Sequence, residues 1–519
     1  MEEYKRVFNF FNTPSHKYVH DAFTGRILTC DELTIRILKD YLEDNHINEE
    51  KICNRIPQES CEEISSRIRD INELINEEGM FRVGRFKFVE SEHGGLSDNI
   101  IQLVLNLTDD CNLRCRYCVF SDEYPIYREY RPSRMSMDTA MKAIDLVVKA
   151  KDKPGVTISL SFFGGEPLLE ADLMINIVNE AKRIYPNTNF IVGITTNGTI
   201  INQNILEFFV THSVDLMISL DGPREVHDYH RHGKNKKGSF DAIIKTLVAI
   251  KEFDCEYFEK KVGFVCVLSP PLKFLERATF FAENPNLPKH FILRITDQVS
   301  QGLSQKYADE IENSYKEYHD EIWQIYKRKL SDPSFTKSMR KMRENQFLDC
   351  LFGPIFTRIF NRHVKIIENT NKDIMIKEIQ ENSCLPNWNR LYFSPEGDIF
   401  PCIPASYYRD KRMLIGNIKD GINEQSINNI IKDWKNIQQE KCSTCWAAQM
   451  CLDCYAIYPY EQANHCDLVR DHFTKALSWL AELGEIRGDL KELYGPSESL
   501  DPGALTAEEI YRQEFDFGK

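Results

Sequence analysis

The sequence predicts an α/β protein built on a parallel sheet, with a small module before it and a cysteine-rich one after it. Three observations predict this. Apolar strand segments alternate with amphipathic helical segments between residues 93 and 300. The strands there end in motifs rich in glycine, asparagine or cysteine. Sixteen cysteines are present, most of them in two tight groups, one after the first of these strands and one from residue 384 onward. Right-handed βα units place chemistry at the carboxyl ends of their strands, where these motifs fall.

Composition narrows the class. The 519 residues exceed one ordinary core, so several domains are expected. With 42% hydrophobic and 28% charged residues, the chain reads as soluble and globular. A net charge of -14 repels phosphate backbones, which argues against nucleic acid as the main partner. The start, MEEYKRVFNFF, lacks a signal-peptide layout, and no apolar run is long enough for a membrane, so a cytoplasmic location is expected. Cysteines in a reducing compartment serve more often as ligands than as a disulfide framework.

Residues 1–92 form the first module. Residues 16–30 read as a hairpin around Thr24-Gly25. Asp31 can cap a helix reaching about Glu43, with Leu33, Ile35, Ile37, Leu38 and Leu42 as its apolar positions. Two more helices follow, at 49–55 and 62–76. A hairpin with three helices is winged-helix-like; a helical cap on the next domain is the plainer alternative.

In the domain at 93–300, strands are predicted at 100–107, 156–163, 190–195, 216–220 and 262–268, and helices at 137–151, 169–185 and 240–253. Residues 301–383 read as a largely helical bridge, including 305–329 and 337–360. A second cysteine-rich module spans 384–470, and the tail at 471–519 reads as a helix followed by an acidic end.

The sharpest motif is Thr108-Asp-Asp-Cys111-Asn-Leu-Arg-Cys115-Arg-Tyr117-Cys118, on a loop after a strand. Three thiolates within eight residues can wrap one metal centre. Zinc wants a fourth ligand nearby, and none follows promptly, although a three-cysteine zinc site stays open as an alternative. A four-iron cube on three thiolates leaves one iron free to chelate a small molecule. The C-x3-C-x2-C spacing, with aromatic Tyr117 before the third cysteine, resembles the cluster loop of the radical S-adenosylmethionine superfamily.

The resemblance implies a partial (β/α)6 barrel and a [4Fe–4S] cluster on Cys111, Cys115 and Cys118 that reductively cleaves S-adenosylmethionine to a 5′-deoxyadenosyl radical. Gly164-Gly165-Glu166-Pro167 agrees with it: the glycines permit close backbone approach, and the carbonyls and the Glu166 carboxylate can accept from the methionyl ammonium. Ser219 and Asp221 can bind ribose hydroxyls, and Arg231, in a His227-x-x-x-Arg stretch, can face the methionyl carboxylate. Asn197 is a further candidate that can equally hold its own turn.

Beyond Cys384 the pattern is C-x12-G-x4-C to Cys402, then Cys442-x2-Cys445-x5-Cys451-x2-Cys454, then Cys466. It resembles the SPASM domain, which carries auxiliary [4Fe–4S] clusters in peptide-modifying radical enzymes. Two residues stand between the last pair of the quartet where the family has three. A zinc reading stays open for that quartet. The resemblance implies one auxiliary cluster on Cys442, Cys445, Cys451 and Cys466, and another on Cys384, Cys402 and Cys454. The second of these would be open at one iron unless Cys350 closes it. Cys30, Cys53, Cys61, Cys255 and Cys266 show no ligand spacing.

The first module resembles the precursor-peptide recognition element of peptide maturases, which binds a leader as an added strand. Together these resemblances imply a sactipeptide- or ranthipeptide-type thioether synthase with three [4Fe–4S] clusters. Its partners would be a precursor peptide and an electron donor such as flavodoxin or ferredoxin. Carbon–carbon crosslinking, Cys or Ser oxidation of the sulfatase-maturing type, and a non-catalytic electron carrier or peptide scaffold are the alternatives.

Overall fold

The computed structural model describes residues 5–44, 47–89, 102–151, 155–297, 320–360, 364–368, 374–380, 390–451, 454–456 and 465–494. The chain opens with strands β1 (Lys5–Arg6), β2 (Phe8–Asn12), β3 (Lys17–Asp21) and β4 (Ile27–Cys30). The last three form an antiparallel sheet in the order β2-β3-β4, with Tyr18 opposite Thr29. The predicted hairpin is therefore present, and Gly25 holds its turn at φ 73°. Asp21 accepts from the Thr24 amide (2.7 Å) and hydroxyl (2.8 Å), which closes that turn.

Helices α1 (Glu32–Asp44), α2 (Glu49–Arg55) and α3 (Cys61–Asn76) follow within a residue or so of their expected bounds. Asp31 caps the first by accepting from the Thr34 amide at 2.8 Å, and Ser60 with Glu63 forms a capping box on the third. Ile37, Leu38, Ile52, Ile64, Ile68 and Ile71 make a separate core for this module.

The central sheet explains where the site lies. Strands β6 (Gln102–Asn106), β7 (Thr157–Phe163), β8 (Asn189–Thr196), β9 (Asp215–Ser219), β10 (Val262–Leu268) and β11 (Leu293–Asp297) are parallel neighbours in that order. This is the partial (β/α)6 arrangement. Leu105, Leu160, Val192, Leu216 and Phe264 are buried in one core with Ile144, Val147, Ile177, Val178 and Leu247 of the intervening helices. Near-continuous apolar strands are what a sheet covered by helices requires.

Two features depart from the sequence reading. Residues 301–383 are not helical throughout. Helices occur at 320–330 and Arg343–Phe360, but β12 (Val364–Glu368) and β13 (Ile374–Gln380) form an antiparallel pair. Residues 305–319 of the expected helix lie outside the described residues. The strand β5 (Val83–Val89) lies between β1 and β13 in the order β1-β5-β13-β12, so a sheet crosses the boundary drawn at residue 92. Lys87 bonds Glu378 across 291 residues, a pairing that no local pattern announces.

The second departure is at the other edge of the barrel. β14 (Arg390–Phe393) pairs in parallel with β6, and β15 (Asp398–Phe400), β16 (Gly416–Asn417) and β17 (Gly421–Ile422) extend the same sheet to ten strands. The cysteine-rich segment thus begins as a continuation of the barrel sheet. Among the described residues no helix is long and apolar enough to cross a membrane.

Candidate metal centre and cofactor site

β6 delivers the chain to Thr108, and the loop with Cys111, Cys115 and Cys118 follows. Asp109, 1% exposed, organises its start. The carboxylate accepts from Asn106 Nδ2 (2.7 Å), Ser133 Oγ (2.8 Å), Arg131 Nη2 (2.8 Å) and Arg128. Burial alone would push this carboxyl up; Arg128 and the hydrogen-bond donors outweigh it and hold the group below its usual range. Sequence reasoning gave Asp109 no role, and its place two residues before the first cysteine was the signal available.

The loop is also tied along its backbone. The Arg114 amide donates to the His232 carbonyl (2.7 Å) and the Arg116 amide to that of His230 (3.0 Å). The Cys111 sulfur accepts from the Leu113 amide at 3.4 Å and from Asn197 Nδ2 at 3.8 Å. Tyr130, also missed in the sequence, hydrogen-bonds the Cys118 sulfur.

The Gly-Gly-Glu-Pro segment ends β7 against this loop. Gly165 donates to the Thr108 carbonyl (2.8 Å) and Glu166 to that of Asp110 (2.9 Å). A Cβ on Gly165 would sit 2.2 Å from the Asp110 oxygen, and one on Gly164 would sit 2.5 Å from that of Thr108. The close approach expected of these glycines is thus made to the cysteine loop itself. Pro167 opens a short 3-10 turn, Pro167–Glu170.

Glu166 is 1% exposed and accepts from the Leu168 amide (3.0 Å), Thr196 Oγ1 (2.6 Å) and the Asn197 amide (2.7 Å). Burial raises its carboxyl despite these donors. A carboxylate has about four lone-pair sites, so one is left for a ligand. Asn197 bonds Asn112 Oδ1 at 2.8 Å, joining the end of β8 to the cysteine loop.

The polar residues after β9 take different roles. Ser219 ends β9 half-buried, and among the described residues nothing hydrogen-bonds its hydroxyl. Asp221 is fully buried. It accepts from Arg231 Nε (2.9 Å), Arg231 Nη2 (3.3 Å), the Val267 amide (2.9 Å) and the Tyr117 hydroxyl. Burial opposes its ionisation, but the Arg231 charge prevails and keeps it a carboxylate. These donors fill the four acceptor sites of Asp221, and Arg231 supplies two of them.

The C-terminal cysteines are spread over two cores. Cys402 and Cys454 pack against the cluster of Tyr392, Phe400, Tyr408 and Trp434. Cys445 and Cys451 pack against the main core. The Cys445 thiol lies within reach of Arg470 and the charge of Cys466. The Cys445 amide bonds the Cys442 carbonyl at 3.1 Å. Cys384 lies outside the described residues. The Cys350 thiol donates to the Leu293 carbonyl at 3.1 Å, beside Cys266. Its helix packs on β11, and the side chain packs against the main core.

Donor chemistry fits an iron–sulfur centre on the first loop. Burial and the neighbouring charges of Glu166 and Cys118 push the Cys111 thiol up to about 12. Burial likewise raises Cys115 and Cys118. Such thiols become thiolates only against a strong local positive charge, which a metal provides. Among the described residues no three cysteine, histidine or acidic side chains already converge on one point.

A six-stranded parallel half-barrel with a three-cysteine loop after its first strand defines a radical SAM fold, and the chain carries such a domain: residues 105–271 match the Radical SAM superfamily. The chain is 33% identical over 161 residues to the cysteine-type anaerobic sulfatase-maturating enzyme of Clostridium novyi, covering 31% of this chain and 42% of that protein. It is 27% identical over 227 residues to the radical SAM cyclopropyl synthase TigE of Paramaledivibacter caminithermalis, covering 40% and 47%. The chain thus spans less than half the length of these two curated relatives. The structure of anSMEcpe with bound AdoMet superposes with a TM-score of 0.53 at 17% identity, over 76% of this chain and 98% of that one, which shows a shared fold.

Proposed function

We propose that this protein is a radical S-adenosylmethionine maturase that forms cysteine thioether links in a ribosomally made peptide. One observation carries the reading: the three-cysteine loop and the Gly-Gly-Glu-Pro segment are stitched backbone to backbone at the carboxyl ends of β6 and β7. Cys111, Cys115 and Cys118 would hold a [4Fe–4S] cluster. Bound there with S-adenosylmethionine, the cluster supplies a one-electron reductive cleavage that generates an organic radical.

The chain's own residues position the cofactor. The Gly164 and Gly165 carbonyls and the remaining acceptor site of Glu166 would take the methionyl ammonium. The Ser219 hydroxyl would meet the ribose. Cys442, Cys445, Cys451 and Cys466 would hold one auxiliary cluster, and Cys384, Cys402 and Cys454 the other; the shared core beneath Cys402 and Cys454 supports the second grouping. β4 is an edge strand of its sheet and would accept a leader peptide as a further strand. A flavodoxin or ferredoxin would supply the electrons.

A second reading is oxidation of one Cys or Ser, favoured by the similarity to sulfatase-maturating enzymes. Incubating the reduced, reconstituted protein with a cysteine-containing precursor peptide separates the two. Thioether formation removes about two hydrogens per link and consumes a free thiol. Loss of hydrogens with every thiol still alkylatable would favour a carbon–carbon link. Oxidation of one Cys or Ser without a link between residues would overturn the crosslinking reading.

A further inference from the structure

The segment from Asp221 to Gly233 is built against the cysteine loop at several points. Its residues His230 and His232 receive the Arg116 and Arg114 amides, so they pair with the loop on both sides of Cys115. Leu113 and Gly233 form a bridge in the same ladder. Between them stands Arg231, whose side chain is 8% exposed.

Arg231 does two things at once. Its fork engages both oxygens of Asp221 (2.9 and 3.3 Å), and its guanidinium carbon lies 5.3 Å from the centre of the Tyr117 ring. Tyr117 in turn donates its hydroxyl to Asp221. Tyr117 stands between the second and third cysteines, so the pair grips the loop from inside its ligand run. The His230 ring packs against Tyr117, with ring centres 5.1 Å apart.

Asp221 is itself held from the barrel side. Its carbonyl accepts from the fully buried Arg277, which also donates to the Leu272 carbonyl. Its Oδ1 is held by the Val267 amide of β10 at 2.9 Å. The clamp is thus anchored on the barrel, not on the loop it holds.

From this geometry we infer that Asp221 and Arg231 are positioning residues for the cluster: through Tyr117 they fix the Cys115–Cys118 segment, and the Arg231 charge raises the cluster's reduction potential. The inference rests on the cluster assignment proposed above. A cation near the thiolates favours the more negative, reduced cluster, and cluster potentials follow local charge and hydrogen bonding.

The test is an EPR-monitored redox titration of the full-length, anaerobically reconstituted protein, reading the signal that is absent from Cys115→Ala. Arg231→Gln is expected to lower the ratio of reduced to oxidised cluster about tenfold at fixed potential, equivalent to about 59 mV for one electron. Arg231→Lys, which keeps the charge, is expected to restore most of that ratio. Tyr117→Phe is expected to keep its iron but to lose it several-fold faster to a chelator. An unchanged ratio in Arg231→Gln, or Arg231→Lys shifted as far as Arg231→Gln, would overturn the electrostatic role. If Arg231→Gln does not fold, the chelator rate of Tyr117→Phe decides, and an unchanged rate overturns the clamp. A wild-type protein with no cluster signal dependent on Cys115 would instead remove the functional reading, and the clamp with it.

Discussion

The two cysteine groups of this protein are built in opposite ways. The loop of Cys111, Cys115 and Cys118 is tied to the barrel by backbone bonds to residues 230–232, by the Gly-Gly-Glu-Pro segment after β7, and by the buried carboxylates of Asp109 and Asp221. The later cysteines are divided between two apolar cores, with Cys402 and Cys454 on one and Cys445 and Cys451 on the other. The backbone of the first site is fixed by these bonds, whereas the second, in the proposed reading, would depend more on its metal to draw the segments together. The first group would therefore serve a fixed cofactor geometry, and the second a substrate-facing role.

The largest expected effect separates the two groups by function. Cys402→Ala should leave cleavage of S-adenosylmethionine measurable while abolishing crosslinking of the precursor peptide. Mass spectrometry of the peptide and a count of 5′-deoxyadenosine check both halves. Loss of both activities together would erase the distinction.

Asp109→Ala comes next. It leaves Arg128, whose side chain is 11% exposed, without its carboxylate, a change that costs about 3–5 kcal/mol for a broken buried pair. Thermal unfolding should show the loss, and iron content at the first site should fall with it. A smaller effect is expected at Gly165→Ala. Its new methyl meets the Asp110 backbone, and such overpacking costs about 1–3 kcal/mol. Iron bound at the first loop should drop, whereas far-ultraviolet circular dichroism should stay close to the parent's.

The mildest probe is pH. Asp109 has a folded pKa held below its unfolded value, so its contribution is complete above about pH 4 and is lost as the pH falls. The wild type should therefore lose stability across that acid range more steeply than Asp109→Asn, as denaturant melts at several pH values would show.

Much of this was legible in the sequence because it is local. Cysteine spacing, the glycines after β7, the Asp31 cap and the apolar runs of β6 to β10 each announce themselves within a few residues. What stayed hidden depends on distant partners. β12 and β13 gain meaning as strands only beside β5, and β14 only beside β6. Asp221 reads as a ligand residue because a polar group at the end of a parallel strand usually faces the site. The sequence did not reveal that Arg231, ten residues on, folds back to engage it. Sequence proximity likewise says nothing of the Leu293 carbonyl that receives the Cys350 thiol.

The central claim is that the loop of Cys111, Cys115 and Cys118 holds the centre that cleaves S-adenosylmethionine. It is tested most directly by measuring 5′-deoxyadenosine from the reduced, reconstituted protein under anaerobic conditions. Production by the wild type and none above background by Cys115→Ala is the predicted result; no product from an iron-loaded wild type, or undiminished product from Cys115→Ala, would contradict it.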